Sequence, residues 1–215
     1  MTDDLPPDPL QLAELIAARI CHDLSGPIGP MAGMLELARE DPDAAEEALA
    51  AANEAAASVI ARLRLLRAAW SGDCVAMDVR AIGTLIHSGL ARKRVTIDLS
   101  GIAASMFAPA TARLLLNALL LGSEGLPGGG TLTCAGEPDG DILITIAGPR
   151  AAWPSGLAAC LANPAAAWGM LDDPRGLQVP LIALLASRPG PRLSLLFGAT
   201  AAGAPPPLLI SHPGT

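Results

Sequence analysis

The 215-residue chain predicts an α + α/β fold, in which an N-terminal antiparallel helical hairpin is followed by a two-layer α/β domain. Three observations carry this. Apolar residues recur at three- and four-residue steps through the N-terminal third of the chain. The sequence SGDC, residues 71–74, then breaks the helical texture. Beyond it, short alternating stretches and helical stretches interleave, as strands and helices packed in two layers require.

The first helix is expected from Asp8 to Arg39, about 45 Å long at helical rise. EDPD makes a short turn, with Asp41 as N-cap, Pro42 at the first helical position and Asp43 at the positive end of the dipole. A second helix runs to Trp70, its stripe formed by Ala45, Leu49, Ala52, Ala56, Ile60, Leu63, Leu66 and Trp70. Two long helices joined so tightly must run antiparallel. A lone hairpin has no second layer for its stripe, so pairing of two copies into a four-helix bundle is the expected solution. After the break, CVAMDV is a candidate strand, RAIGTLIHSGLAR a helix, RVTIDLS a strand and PATARLLLNALLLGSE a helix. GGGTLTCAG and DILITIAG read as a strand hairpin, RGLQVPLIALLASR as a helix and PRLSLLFG as the final strand. The proline-rich end, APPPLLISHPGT, is expected to be loosely held. The resulting division is 1–72 for the hairpin, 73–203 for the α/β domain and 204–215 for the tail.

Composition narrows the function classes. Hydrophobic residues make up 51% of the chain, yet aromatics only 2%. Alanine-faced helices bury little area each, so they tend to need partners. A net charge of −7 argues against a general nucleic-acid surface, whose affinity rests on clustered Lys and Arg. Cys21, Cys74, Cys134 and Cys160 have no metal-ligand spacing, so no metal site is expected. The start MTDDLPPDPL is unlike a signal peptide, and both long uncharged stretches are broken by proline and glycine. A cytoplasmic protein without a membrane partner is expected.

The most informative stretch is ICHDLSGPIGP, residues 20–30. At 100° per residue, Ile16, Ile20, Leu24, Pro27, Ile28, Met31 and Leu35 form one face, expected to be the bundle core. His22 points the opposite way, among Leu15, Ala18, Arg19, Ser25, Gly26, Gly29 and Gly33. Apart from Leu15 and Arg19 these neighbours are small, so a large object can reach the imidazole. Imidazole is a nucleophile near neutral pH and can carry a phosphoryl group. His87, in an apolar helix, and His212, in the tail without visible partners, are expected to carry none.

HDLSGP resembles the H-box of sensor histidine kinases, in which the phosphoacceptor histidine is followed by an acid, a leucine and, five residues on, a proline. LLLNALLLGSEGLPGGGTLT resembles the kinase N-box and the hairpin after it, through Asn117-Ala118 and the turn 127–130. The nucleotide boxes, however, have decayed. Arg113 stands where the N-box carries an earlier asparagine, AGPRA lacks the adenine-binding aspartate, and only Gly176 remains of the glycine-rich phosphate box, where Pro180 removes an amide donor. Asn117 is expected to be a relic or a packing residue, and Gly128 to Gly130 a hairpin turn.

A kinase architecture with its H-box kept and ATP binding lost resembles the ChpT-type histidine phosphotransferases. This resemblance implies a homodimer, with a degenerate kinase-like ATPase domain that helps hold receiver domains of a hybrid kinase and of response regulators. It implies His22 as phosphoacceptor, no cofactor bound by this chain, and magnesium arriving with the receiver. Asp23 then either orients the imidazole or is an ordinary solvated helix charge. Ala18, Arg19, Ser25, Gly26, Gly29 and Gly33 are the candidate partner-binding residues, although Arg19 also reads as a plain surface arginine. Arg62, Arg64 and Arg67 read as a solvated face or as ion-pair partners. A divergent kinase that still binds ATP, and a non-catalytic dimeric adaptor, are the competing functions.

Overall fold

The computed structural model describes residues 8–90, 94–198 and 203–212. The first helix, α1, spans Pro9–Glu40. Its start is sealed by Asp8, whose carboxylate accepts the amide hydrogens of Leu10 at 2.9 Å and Gln11 at 3.2 Å, satisfying donors that a helix start leaves orphaned. The helix continues through Pro27 and Pro30. Each withholds one N–H, so the carbonyls of Asp23 and Gly26 lose their in-helix partners.

The second helix, α2, spans Ala45–Trp70. Asp41 does accept from the amides of Asp43 and Ala44, as an N-cap would. Residues 42–44 nevertheless form a turn, so the regular helix begins at Ala45 rather than at Pro42. No residue of α1 is fully buried. Ile28 and Leu35, expected in a bundle core, stay 43% and 44% exposed, because within one chain their face meets no second layer. Ile16 instead joins Leu12 and Leu15 against Leu171, Leu177 and Leu181. The stripe expected on α2 also divides. Ala52 and Leu66 are buried together with Ala48, Leu65 and Ala69, whereas Leu49, Ile60 and Leu63 face outward.

The rest is a five-stranded sheet with helices against it. Its order is β2 (Val95–Ile102), β4 (Gly130–Gly136), β5 (Ile142–Ala147), β7 (Leu208–Ser211) and β6 (Arg192–Leu195). β2 and β4 are parallel, joined by a crossover containing helix α4, Pro109–Glu124, and every other pairing is antiparallel. In β5, buried Ile142, Ile144 and Ile146 alternate with less buried Leu143, Thr145 and Ala147, the mark of a sheet packed chiefly on one face. The strand expected at CVAMDV shrinks to β1, Met77–Asp78, paired with an unforeseen β3, Met106–Phe107. Asp78 then caps α3, Val79–Gly89, by accepting from the Ala81 amide. Helices α5, Leu157–Ala162, and α6, Gln178–Ala186, complete the layer.

The tail expectation needs correction. Residues 208–211 form β7, inserted between β5 and β6, with Leu208 and Ile210 fully buried. The prolines before it are compatible with order because carbonyls, not amides, are used there. Pro206 accepts from the Trp153 indole at 2.7 Å and Pro207 from the Leu196 amide.

Helix α2 is built into this second unit. Leu65, Leu66 and Ala69 belong to the same core cluster as α3, α4 and the sheet, so packing runs across the expected boundary after residue 72. Gly89 permits the closest approach, since a Cβ there would lie 2.6 Å from Cβ of Leu65. The last carbonyls of α2, which have no in-helix partner, are capped from α4. Asn117 donates to Ala69 at 2.8 Å, and Arg113 donates to Ala69 at 3.2 Å and to Trp70 at 3.0 Å. Gln178 in turn donates to the Asn117 side-chain oxygen at 2.9 Å. Asn117 is thus a packing residue, 0% exposed. Replacing Asn117 by Ala strips partners from groups in a dry interface and should cost about 2–3 kcal/mol, measured as a lower urea midpoint at unchanged slope.

Candidate functional site

His22 projects from α1 with 61% of its side chain exposed. Its Nδ1 lies 3.4 Å from Asp23 Oδ1, at the long end of hydrogen-bonding range, and Nε2 has no protein partner among the described residues. The surrounding face is open. A Cβ placed on Gly26, Gly29 or Gly33 would meet nothing within 4 Å. Ala18 and Ser25 are exposed beside it, and the Ser25 hydroxyl donates back to the Cys21 carbonyl at 2.7 Å. Five of the six candidate partner-binding residues therefore share the accessible surface with the histidine.

Arg19 behaves differently. Its guanidinium is directed into the chain, with 14% of the side chain exposed. It donates to Asp23 at 3.1 Å, to Glu124 at 2.8 Å, and to the carbonyls of Pro174 and Arg175 at 3.2 and 3.1 Å. The alternative of a plain surface arginine is overturned by this burial, and the donors expected to meet an acidic partner are engaged internally.

Asp23 is likewise no solvated helix charge, with 12% of its side chain exposed. Oδ1 accepts from Arg19 and Oδ2 from Nη2 of Arg62, which reaches across from α2. Burial by itself would raise the carboxyl pKa. The bonded Arg62 cation, then Arg19 and the His22 contact, outweigh it and hold Asp23 below the usual carboxylate range. Burial likewise opposes the charge on Arg19, but Glu124 and Asp23 more than offset it and raise its pKa.

These groups line a cleft of about 520 Å³ between the hairpin and the α/β domain, with Arg19, His22, Asp23, Arg62, Glu124 and Arg175 in its walls. Three guanidiniums face two carboxylates, so an anion-tolerant cavity adjoins His22 in a chain whose net charge is −7. The Asp23–Arg62 pair also borders a second cleft of about 450 Å³, where His87 lies.

Other side chains singled out by the sequence lie outside this cluster. His87 is exposed, with Nδ1 2.7 Å from the Gly83 carbonyl. His212, expected to lack partners, has two, Thr111 Oγ1 and the Gly140 carbonyl, each at 2.9 Å. Burial pushes the Cys134 thiol up to about 12 and raises that of Cys160. Sequence reasoning missed the roles of Glu124 and Arg175, and left Arg62 between a solvated face and an ion pair. The one available local signal was the four-residue spacing of Arg19 and Asp23, which places them together on a helix.

Because the Asp23 pKa is lowered by folding, the unfolded chain binds more protons in acid, and the carboxylate contributes stability that falls as pH falls. The stability deficit of Asp23→Asn should be full at pH values above the ordinary aspartate value of 3.8 and shrink as pH drops through the lowered folded value. Paired thermal melts across this range check it. A constant deficit contradicts it.

Residues 79–200 match the family profile of the histidine phosphotransferase C-terminal domain. The protein phosphotransferase ChpT of Brucella abortus (strain 2308) is 31% identical over 150 residues, covering 65% of this chain and 68% of that protein. A solved structure of a bacterial phosphotransferase superposes with a TM-score of 0.72 at 25% identity, covering 97% of this chain and 98% of the other. The family match covers more than half of this chain, and the fold is shared along nearly all of it: the chain belongs to the histidine phosphotransferase family.

Proposed function

We propose that this chain is the histidine phosphotransferase of a multistep phosphorelay, moving phosphoryl groups between receiver-domain aspartates through His22. The observation that carries this is the exposed imidazole, with Nε2 unpartnered among the described residues, on a glycine-lined helix face beside a fixed carboxylate. In the forward step the Nε2 lone pair forms the N–P bond. The P–O bond to the receiver's aspartate breaks, and its electron pair returns to that carboxylate. The receiver supplies magnesium and the lysine that stabilise charge on the transferring group, so this chain contributes nucleophile, orientation and docking surface. The second step reverses these bonds on another receiver.

The phosphoryl donor is a protein rather than ATP. In support, the N-box asparagine, Asn117, is consumed between Ala69 and Gln178, and Arg113 is committed to the end of α2. Both groups that would face a nucleotide instead hold the hairpin against the α/β domain, which serves as a degenerate relative of the kinase ATPase domain. The chain acts in the cytoplasm, and no helix among the described residues is long and apolar enough to cross a membrane.

A homodimer is part of this proposal. Leu35, Leu49, Ile60 and Leu63 leave 42–49% of their surface exposed along the hairpin, a stripe that a second copy covers to complete a four-helix bundle. Ile60→Glu should shift the protein from dimer to monomer in light scattering. A dimer of unchanged stability rejects this interface.

The function is tested by mixing the chain with a phosphorylated receiver domain. Acid-labile phosphate should appear on this chain and be absent from His22→Ala, while incubation with ATP alone should give no label. Labelling from ATP would make the protein a kinase, and failure with a range of receivers would reject the relay.

A further inference from the structure

We infer that Arg62 is a positioning residue for His22, acting through Asp23 to keep the imidazole proton on Nδ1 and the lone pair on Nε2. This inference rests on the phosphorelay role of His22. It names a residue, on the other helix of the hairpin, whose task is to aim the nucleophile.

The geometry is a relay of fixed groups. Asp23 Oδ1 faces both Nδ1 of His22 and Nε of Arg19, while Oδ2 is taken by Nη2 of Arg62. A carboxylate held at one oxygen only can swing about its Cβ–Cγ bond, whereas one held at both cannot. Arg62 thus denies Asp23 the rotation that would withdraw Oδ1 from the histidine. Arg62 is itself anchored. It is 13% exposed, and Nη1 donates to the Gly89 carbonyl at 3.4 Å. That carbonyl is near because Gly89 sets α3 directly on α2, with no room for a Cβ against Leu65. The α/β domain therefore reaches the nucleophile by two hydrogen-bonded routes, Gly89 through Arg62 and Glu124 through Arg19, which converge on one carboxylate.

Neutral imidazole carries its proton on one nitrogen, and the partner of the other site decides which. An ionised carboxylate only accepts, so Asp23 selects the Nδ1–H form. The charged groups around Asp23 are Arg19 from α1, Arg62 from α2, Glu124 from α4 and Arg175 from the turn 174–176, with His87 of α3 across the second cleft. Two bonded guanidiniums hold Asp23 as the anion, so it orients the ring and does not take up its proton. When the Nε2–P bond forms, the Nδ1 proton stays on the ring and the new positive charge faces Asp23. No proton is released.

Nitrogen-15 NMR of the histidine rings tests this without any partner protein, since the chain has only three histidines. In the neutral form His22 should be mainly the Nδ1–H tautomer. In Arg62→Met the ratio of Nδ1–H to Nε2–H should fall by about threefold or more, and Arg62→Lys should lie between, having a charge but no fork to span Asp23 and Gly89. The His212 ring, tied to Thr111 and Gly140 far along the chain, reports whether the fold is intact. If Arg62→Met disturbs His212, Arg62→Lys decides the matter on the same signal. Transfer from a phosphorylated receiver should slow about tenfold in Arg62→Met. An unchanged tautomer ratio in a folded variant overturns the inference. A tautomer shift in a protein that accepts no phosphoryl group would leave the positioning intact and reject the relay.

Discussion

The carbonyl oxygens at the end of α2 impose the constraint on which the rest depends. A helix must find outside partners for its last carbonyls, and here Ala69 and Trp70 end against the α/β layer, where water is scarce. Arg113 and Asn117 supply the missing donors. Once this seal is made, Leu65 and Leu66 enter the common core and Gly89 rests on α2. Arg62, one turn earlier, is thereby brought over the Gly89 carbonyl, and Arg19 on the neighbouring helix meets Glu124. Arg113 and Asn117 thus hold the geometry around His22 on another helix.

Electrostatic conflict at one point is relieved at the next. Glu124 ends α4, where the helix dipole disfavours an acid. Arg19 neutralises it while also binding Asp23, whose second oxygen engages Arg62. A half-buried pair of this kind adds little net stability, because desolvation offsets much of the attraction. Its value is geometric, since each charge has a directional reason to remain where it is.

Local features of the fold were legible in the sequence. Pro109 and Gly125 bracket α4, and the expected helix PATARLLLNALLLGSE coincides with it. GGGTLTCAG and DILITIAG, expected as a strand hairpin, are the paired β4 and β5. The tail was missed because proline content says only that amides are lacking, and Leu208 to Ser211 is too short to announce a strand without its neighbours. At the site, the open face around His22 followed from helical geometry, while its proposed role came from the resemblance of HDLSGP to the H-box. Arg62, Glu124 and Arg175 come from elements 39 or more positions away, as the Arg62–Asp23 separation shows, and no local period could join them. Asp23 and Arg19 were noticed, yet their burial depended on exactly those distant partners.

Gly26, Gly29 and Gly33 present bare backbone on the side of α1 that carries His22. A surface without side-chain knobs has few features with which to exclude a near-miss partner, because exclusion depends on clashes and unpaired charges. If discrimination is weak beside His22, insulation against crosstalk has to be built at the rim, on the α/β domain. Substitutions that leave transfer chemistry untouched could then rewire the relay from positions well away from its histidine.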